Sequence, residues 1–498
     1  MRLKKMTVSL LAAAMAVTTL AGCGAMPSTG NADGNGASEN TGVASKEEEK
    51  TDGQITLQVV DWSDGSAAQR EEFHKKFEET HPNIKIEYTM LTVDQFKNTI
   101  VTMIKSGEGP DLFPIPVGLT LDTAVEEGWF QPINDYVTDD FREKFDPAAF
   151  AEGVTDIGDE WYTVTEQMPI IQCLFFYNKS ILEQAGVNEI PKTYSEFREA
   201  CKKVTEMGNG NIYGLIDGGK QMNRMDVMAR SLAAAGGKVA ATQKVLTDNG
   251  VAPYDSKEMN EALGLIKGLV DDGSIHPDTI NVSAPEAREL FAQGQAAFLC
   301  QGMWCVSQWD ANYPDLKYGV MAVPVPDGVT NTYVQAGELS PWMGIYKQSK
   351  HPKEAAEYLM ALYDEQYGYQ QSNVESGSFV SCIPEINEKY MTNEHMKEYY
   401  TIAEETSRVV PTLVKRDEKA NDFYAEVKDV QPSLGAIVQG IISQSLTDYS
   451  SALKTLADDT TTEWKRASEA VGMDYSSLEF PNWDVTKDYT DADYAALK

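Results

Sequence analysis

From residue 55 onward, short apolar strands alternate with amphipathic helices, and this alternation limits the possible folds more than any other feature of the sequence. A strand at 55–62 is followed by a helix at 66–81, a strand at 83–91, a helix at 93–105 and a short strand within 107–118. Strands that alternate with helices in this way predict a mainly parallel sheet flanked by helices. The sequence therefore predicts an α/β fold.

The alternation continues to about residue 363, and the chain then becomes almost all helix from about 383 to 470. In open α/β sheets, ligands bind beyond the carboxyl ends of the strands. Trp62 and Asp64 follow the first strand, and residues 115–120 follow the third. We expect these residues to share one edge of the sheet.

The charge balance excludes one class of partner. The chain has 76 acidic and 42 basic residues, a formal net charge of −34. A field of this sign repels nucleic acids and anionic lipid surfaces. The acidic residues are spread along the chain, which is typical of a well-solvated exported surface. We therefore expect no nucleic-acid partner.

The first residues predict export. A basic start, MRLKKM, precedes the apolar run TVSLLAAAMAVTTL, which is short for a membrane span. Residues 1–22 thus form a predicted signal peptide. The sequence LAGC at 20–23 resembles the bacterial lipobox, which implies that Cys23 carries lipid, palmitate included. An ordinary signal peptide with an incidental cysteine is the alternative. Residues 23–53 are small and polar, then charged, and predict a flexible tether.

Cysteine and histidine usage argues against metals and disulfides. If Cys23 is lipidated, five cysteines remain, and an odd number does not fit a complete disulfide framework. No C-x-x-C occurs, and the histidines are scattered without metal-ligand spacing. We expect no metal and no cofactor. Free thiols are expected at Cys300 and Cys305, although a local bridge between these two stays open.

Several longer stretches together carry a family resemblance. They are ITLQVVDWSDG, SGEGPDLFPIP, YNKSILEQAGVNEIPKTYSEF, ELFAQGQAAFLCQGMW, YGVMAVPVP and KHPKEAAEYLMAL, in this order. The chain resembles bacterial extracellular solute-binding proteins of family 1, the carbohydrate-binding lipoproteins of ABC importers, a type that includes maltose-binding protein.

The resemblance implies a type II periplasmic-binding-protein fold. Its mainly parallel sheets, flanked by helices, form two lobes joined by a hinge that the chain crosses three times, near Gln167, Pro326 and Ser376, and a helical C-terminal region follows. The implied bounds are 54–167 plus 327–375 for the N-terminal lobe and 168–326 plus 376–498 for the C-terminal lobe.

The resemblance also implies a function. The protein would capture a mono- or oligosaccharide in the cleft between the lobes, and closure of the lobes would present it to the ABC permease subunits. It would act as a monomer on the extracellular face of the cell membrane, held only by the lipid at Cys23, and would not be an enzyme. Two alternatives stay open: a binding lipoprotein for a non-sugar solute, and a surface glycan-active enzyme. No G-x-S-x-G or Walker A motif supports the enzyme, and abundant carboxylates do not decide it.

Three tryptophans are candidate sugar-stacking residues. Sugars present apolar C–H faces and hydroxyl groups, so a site needs flat aromatics with carboxylates and amides. Trp304, in Gly302-Met303-Trp304, matches the position at which the family stacks an aromatic on sugar. Trp62 follows the first strand, and Trp342 lies on the strand after the second crossing. For each of the three, packing in the core is the alternative.

Five polar residues complete the predicted site. Asp64 follows the first strand, where the family often contacts sugar, and its alternative role is that of an acid at a helix N-terminus. Glu166 and Gln167 lie at the first crossing, or else form a solvated hinge. Arg224 and Asp226, in NRMD, precede a predicted helix, and a surface ion pair is the alternative for Arg224.

Overall fold

The structure, a computed structural model, describes residues 53–116, 119–168, 173–239, 244–329, 334–335 and 342–497. The predicted signal peptide, Cys23 and nearly all of the predicted tether lie outside the described residues. Asp52–Lys498 forms one compact unit. Among the described residues, no helix combines the length and apolar character that a membrane span requires.

The strands are short, and the first three fall within the runs at 55–62, 83–91 and 107–118 where the sequence predicts strands. Their bounds are β1 Ile55–Asp61, β2 Ile84–Met90, β3 Leu112–Pro114, β4 Phe130–Gln131, β5 Asp156–Ile157, β6 Glu160–Trp161, β7 Thr163–Val164, β8 Leu174–Asn178, β9 Tyr213–Ile216, β10 Ala296–Gln301, β11 Tyr318–Met321, β12 Val334–Gln335, β13 Met343–Tyr346 and β14 Ser407–Arg408.

Helices fill most of the remaining described chain. Their bounds are α1 Ala67–Thr80, α2 Val93–Ser106, α3 Leu121–Glu126, α4 Asp139–Arg142, α5 Lys179–Gln184, α6 Tyr194–Gly208, α7 Met222–Gly236, α8 Lys257–Asp271, α9 Ala284–Ala292, α10 Cys305–Asn312, α11 Pro352–Ala361, α12 Tyr369–Ser376, α13 Pro384–Tyr390, α14 Glu394–Thr406, α15 Ala420–Glu426, α16 Leu434–Ile442, α17 Tyr449–Val471 and α18 Asp491–Ala495.

Local sequence signals set several helix ends. At the start of α2, Thr92 accepts from the backbone of Gln95, whose side chain in turn accepts from the backbone N–H of Thr92. The same reciprocal capping occurs at the start of α9, between Ser283 and Glu286. Each pair satisfies two backbone donors that a helix otherwise leaves unpaired. These pairs therefore fix the first turns of α2 and α9.

The first lobe is built on a six-stranded sheet. The strand order is β2-β1-β3-β13-β4, with β7 also on β13. β1 pairs with β2 and β3 in parallel, whereas β13 runs antiparallel to β3, β4 and β7. Here we call this sheet and the helices packed on it the first lobe.

The second lobe is built on a four-stranded sheet in the order β11-β8-β10-β9. β9 and β10 are parallel, and β8 runs antiparallel to both β10 and β11. Every residue of β8, β10 and β11 is buried. This is the burial that a sheet covered by helices on both faces requires.

Each sheet thus runs mainly in one direction and contains one reversed strand. β8 follows the first crossing between the lobes, and β13 follows the later crossing. When the chain crosses from one lobe to the other, the next strand starts at the sheet edge that faces the lobe just left. A strand within a βαβ unit instead ends at that edge. The reversed strands are therefore a consequence of the crossings.

The C-terminal region is helical, as expected, but residues 407–433 are mostly irregular and contain β14 and α15. Phe423 of α15 and Trp464 of α17 belong to a separate apolar cluster, in which Phe423 is fully buried. Arg466 of α17 binds the side chain of Glu426. These contacts hold α15 on the second lobe.

Candidate functional site

The first rim is the edge of the first sheet at which β1 and β3 end and β13 begins. Two of the candidate tryptophans meet there. The rings of Trp62 and Trp342 lie edge to face, with centroids 5.1 Å apart, and Trp62 also contacts Phe96 at 4.6 Å. Trp342 is buried, and its indole Nε1 has no hydrogen-bond partner among the described residues. The first rim therefore presents a wall of flat aromatic surface.

The second rim is the edge of the second sheet at which β9 and β10 end and β8 begins. Trp304 lies three residues beyond the end of β10 and is half-buried. Its indole Nε1 donates to Oε1 of Gln301 at 3.3 Å. The second rim thus supplies a third aromatic surface.

A buried ion pair lies behind the second rim. The guanidinium of Arg224 is 3.4 Å from both carboxylate oxygens of Asp217, which is fully buried. Arg224 also donates to the carbonyl of Cys300 and contacts the sulfur of Cys173 at 3.5 Å. Burial raises the pKa of the Asp217 carboxyl, and the Arg224 guanidinium opposes that shift. Arg224 therefore joins the ends of β8, β9 and β10.

The two rims touch at one edge. Nη2 of Arg288, on α9 of the second lobe, lies 2.9 Å from Oδ2 of Asp64, on the first rim. The Arg288 side chain is 6% exposed and that of Asp64 is 49% exposed. A Cβ atom on Gly65 would lie 3.2 Å from the Cβ of Trp304. The lobes are thus in direct contact beside the first strand.

Glu166 belongs to a buried network behind the first rim. One oxygen of Glu166 accepts from Arg70 at 2.7 Å and from the hydroxyl of Tyr369 at 2.5 Å. Arg70 is fully buried and also lies 3.3 Å from Asp61. Burial raises the pKa of Glu166, while the charge of Arg70 and the hydrogen bond from Tyr369 oppose the shift. The network ties β1, α1 and α12 to the first crossing.

Gln167 lies on the first crossing, half-buried and bridged to Ser381. The next residue, Met168, donates its backbone N–H to the carbonyl of Val380 at 2.9 Å. Two chain segments that link the lobes therefore run antiparallel side by side at this point.

The family of the chain follows from a match over more than half of its length. The model of the family described as bacterial extracellular solute-binding protein matches residues 61–369. The chain belongs to this family. The membership confirms the resemblance seen in the sequence motifs.

Relatives and solved structures agree with this family. The solute-binding protein is 25% identical over 318 residues to a Brucella abortus (strain 2308) protein provisionally named a binding protein, a match that covers 63% of this chain and 73% of the relative. It is 31% identical over 119 residues to the maltotriose-binding protein of Pyrococcus abyssi, with 24% of each chain covered.

Among solved structures, the solute-binding protein is similar to an ABC transporter solute-binding protein of Thermotoga lettingae bound with alpha-D-tagatose. The TM-score is 0.64 at 22% identity, and the match covers 82% of this chain and all of that one. This likeness confirms the predicted two-lobe, type II fold.

Asp226, the remaining predicted residue of this solute-binding protein, lies apart from the buried ion pair. On the same helix, its carboxylate binds Arg230 at 2.7 Å, and Arg230 in turn donates to the hydroxyl of Tyr254. The prediction that Arg224 and Asp226 precede the helix is wrong, because α7 begins at Met222 and contains both. They face different partners across α7.

Arg70, Asp217, Gln301 and Arg288 were not among the residues predicted from the sequence. Asp217 directly follows β9, and Gln301 is the last residue of β10. The rule that ligand sites lie beyond strand ends, applied to these two strands, would have indicated both positions. Arg70 and Arg288 sit within charged stretches of amphipathic helices, where nothing in the sequence separates a buried arginine from a solvated one.

The solute-binding protein has no group of three or more side chains suited to hold a metal ion among its described residues. Cys173, Cys201, Cys300, Cys305 and Cys382 are free and buried. A shallow depression bordered by Asn178 and Tyr313 lies at the end of β8, away from the second rim. It is therefore separate from both rims.

Proposed function

We propose that the protein captures a mono- or oligosaccharide between its two rims and delivers it to the permease subunits of an ABC importer. The observation that carries the proposal is the placement of Trp62 and Trp342 on one rim and Trp304 on the other. Aromatic faces on both sides suit the apolar faces of a sugar ring. The names of two similar proteins, which mention maltotriose and tagatose, support the ligand class.

We propose distinct roles for the predicted residues. Trp62, Trp304 and Trp342 stack on sugar, and Asp64 and Gln167 bind hydroxyl groups, because both polar residues retain accessible surface. Asp226, which is also partly accessible, is a third polar candidate.

Glu166 and Arg224 are each engaged in a buried ion pair. We propose that they bind sugar through the donor and acceptor positions that their ion pairs leave unused. Their main contribution is to hold the two rims in place. Breaking a buried pair costs about 3–5 kcal/mol, which gives each rim a fixed shape.

We further propose that the hinge separates a lobe of residues 54–167 plus 327–375 from a lobe of residues 168–326 plus 376–498. A ligand that contacts both rims favours the closed arrangement of the lobes, because it binds the closed arrangement more tightly than the open one. We propose a monomer on the extracellular face of the cell membrane, anchored by lipid at Cys23. The family and the sequence LAGC support this location.

Calorimetric titration of the purified protein with a panel of monosaccharides and short oligosaccharides tests the function. We expect at least one sugar to bind, and Trp304→Ala to weaken its affinity about tenfold or more, because the substitution loses both the stacking, worth about 0.5–1.5 kcal/mol, and the apolar area that the ring buries. Trp304→Phe is the matched control and should lose less affinity than Trp304→Ala, because its ring still stacks.

Two outcomes would contradict the proposal. Binding of peptides or polyamines with no response to any glycan would favour a protein for a non-sugar solute. Release of shortened glycans from the incubation, detected by chromatography, would show that the protein is an enzyme. Unchanged affinity in Trp304→Ala would remove Trp304 from the site.

A further inference from the structure

Trp304 is the terminal group of a chain of polar side chains that runs into the second lobe. Its indole N–H donates to Oε1 of Gln301 at 3.3 Å, and Nε2 of Gln301 donates to Oδ1 of Asp217 at 3.4 Å. Asp217 is held in turn by both Arg224 and the backbone N–H of Gly218, the latter at 2.7 Å. The chain therefore links an accessible aromatic ring to a fixed, buried ion pair.

The side chains of Gln301 and Asp217 are more deeply buried than is usual for polar residues that serve only to pack the core. Gln301 is 1% exposed and Asp217 is fully buried. Desolvating an amide and a carboxylate is costly unless each polar atom has a partner. A buried residue at the end of β10 without such a function would be expected to be apolar, as Phe298 and Leu299 on the same strand are.

The negative charge of Asp217 also fixes the orientation of the Gln301 side-chain amide. Asp217 can only accept while it is ionised, so it selects the NH₂ group of Gln301, and the carbonyl oxygen of Gln301 is left facing the indole. An inverted amide would place its NH₂ against the indole N–H and its oxygen against the carboxylate. Arg224 is therefore connected to Trp304 through two intermediate side chains.

We propose that Gln301 is a positioning residue, oriented by Asp217 and Arg224, that fixes the indole plane of Trp304 for stacking on sugar. The inference rests on the proposed function, because it assumes that Trp304 contacts the ligand. The relay itself consists only of contacts among residues of the chain and does not depend on that assumption.

The first test needs no ligand. In protein labelled with [¹⁵N]tryptophan, the indole signal that disappears in Trp304→Phe belongs to Trp304. We expect its proton to exchange slowly with water in the wild-type protein, although the ring is partly accessible. Gln301→Met, which keeps the length and the packing, should shift this signal upfield and accelerate its exchange.

Trp309 provides the internal control, because its buried indole donates to the carbonyl of Arg288. An unchanged Trp309 signal shows that Gln301→Met is folded. Asp217→Asn, which retains an acceptor for Gln301, should leave the Trp304 signal nearer to its wild-type position. Rapid exchange in the wild-type protein, or a Trp304 signal unmoved by Gln301→Met, would overturn the relay.

The second test uses maltotriose and D-tagatose as probes in calorimetry. We expect Gln301→Met to weaken binding of a responding probe about three- to tenfold in the wild-type background, the range for one lost hydrogen bond. In the Trp304→Phe background, where no N–H remains, the same substitution should change nothing. Equal losses in both backgrounds would indicate a purely structural role and overturn the proposal.

The two proposals fail separately. If Trp304→Ala leaves sugar affinity unchanged while the indole signal responds to Gln301→Met, the relay exists and the assigned stacking role is wrong. If Trp304→Ala abolishes binding while the indole signal ignores Gln301→Met, the sugar site stands and the relay is wrong.

Discussion

At the scale of single residues, the first lobe keeps an unusual set of charges away from water. Arg70 is fully buried between Asp61 and Glu166, and its guanidinium lies over the ring of Tyr369 at 4.6 Å. His74, one turn further along α1, lies beside this set and bonds the hydroxyl of Tyr358 at 2.8 Å. Buried charges are tolerated only where they are paired, so this network fixes how α1 sits on the sheet.

His74 should make the stability of the protein depend on pH. Burial and the nearby positive charge of Arg70 lower its pKa to about 3, whereas the ordinary value is about 6.5. Above pH 6.5 the His74 side chain is neutral in both the folded and the unfolded protein, and the protein has its full stability with respect to this group. As the pH falls from 6.5 towards 3, the unfolded state binds a proton that the folded state does not, and stability is lost.

Denaturant unfolding measured from pH 7 to pH 4 tests the pH dependence predicted for His74. Relative to His74→Gln, which cannot titrate, the wild-type protein should lose about 1.4 kcal/mol of unfolding free energy per pH unit below about pH 6. The carboxylates near the network, Asp61 and Glu166, are common to both proteins and cancel in the difference. Parallel pH profiles for the two proteins would show that His74 titrates as it does in water.

At the scale of elements, the start of α16 packs against the start of α7 without space for a side chain. A Cβ atom on Gly435 would lie 2.1 Å from the carbonyl oxygen of Met222 and 2.9 Å from its carbonyl carbon. These are backbone atoms, which cannot rotate away. The close approach is therefore possible because residue 435 is a glycine, and it holds the start of α7 next to the second rim.

Gly435→Ala should destabilise the protein by about 1–3 kcal/mol, since overpacking forces the two helices apart. Thermal or denaturant unfolding measures this. Gly264→Ala, in the middle of α8, is the control, because the new Cβ would meet only the hydroxyl of Tyr449, at 3.3 Å. That variant should be neutral or more stable by up to about 1 kcal/mol, the usual gain of alanine over glycine in a helix. Equal effects of the two substitutions would contradict the packing argument.

At the scale of the whole molecule, the ion pair between Asp64 and Arg288 joins the lobes directly. Its partners are 224 positions apart in the chain, and Nη2 and Oδ2 are 2.9 Å apart. Arg288 also leaves its Nε buried without a hydrogen-bond partner among the described residues. Opening the cleft would separate the pair and return both charges to water, so the pair favours the closed arrangement.

Arg288→Met should weaken the binding of any sugar that binds the wild-type protein by about two- to fivefold, which is the range for a partly exposed ion pair. It should also increase the radius of gyration of the sugar-loaded protein, as measured by small-angle X-ray scattering. Arg288→Lys, which keeps the positive charge, is the matched control and should retain more of the affinity than Arg288→Met. Equal losses in the two variants would contradict the role of the ion pair.

Much of the fold could be predicted because its signals are local. The strand at 55–62 and the helix at 93–105 appear as β1 and α2 within one residue at each end, since apolar periodicity and a capping residue act within a few positions. The motif ELFAQGQAAFLCQGMW likewise predicts a helix, a strand and Trp304 at a rim, and the structure has this order.

Local patterns along the chain establish the alternation of strands and helices, the family and the three tryptophans next to strands. The reversed strands, the burial of Arg70 and Arg224 in ion pairs and the contact between Asp64 and Arg288 become visible only in the folded chain. The reason is physical: periodicity and capping are properties of neighbouring residues, whereas the burial of a charge and its partner depends on elements that come together from distant parts of the chain.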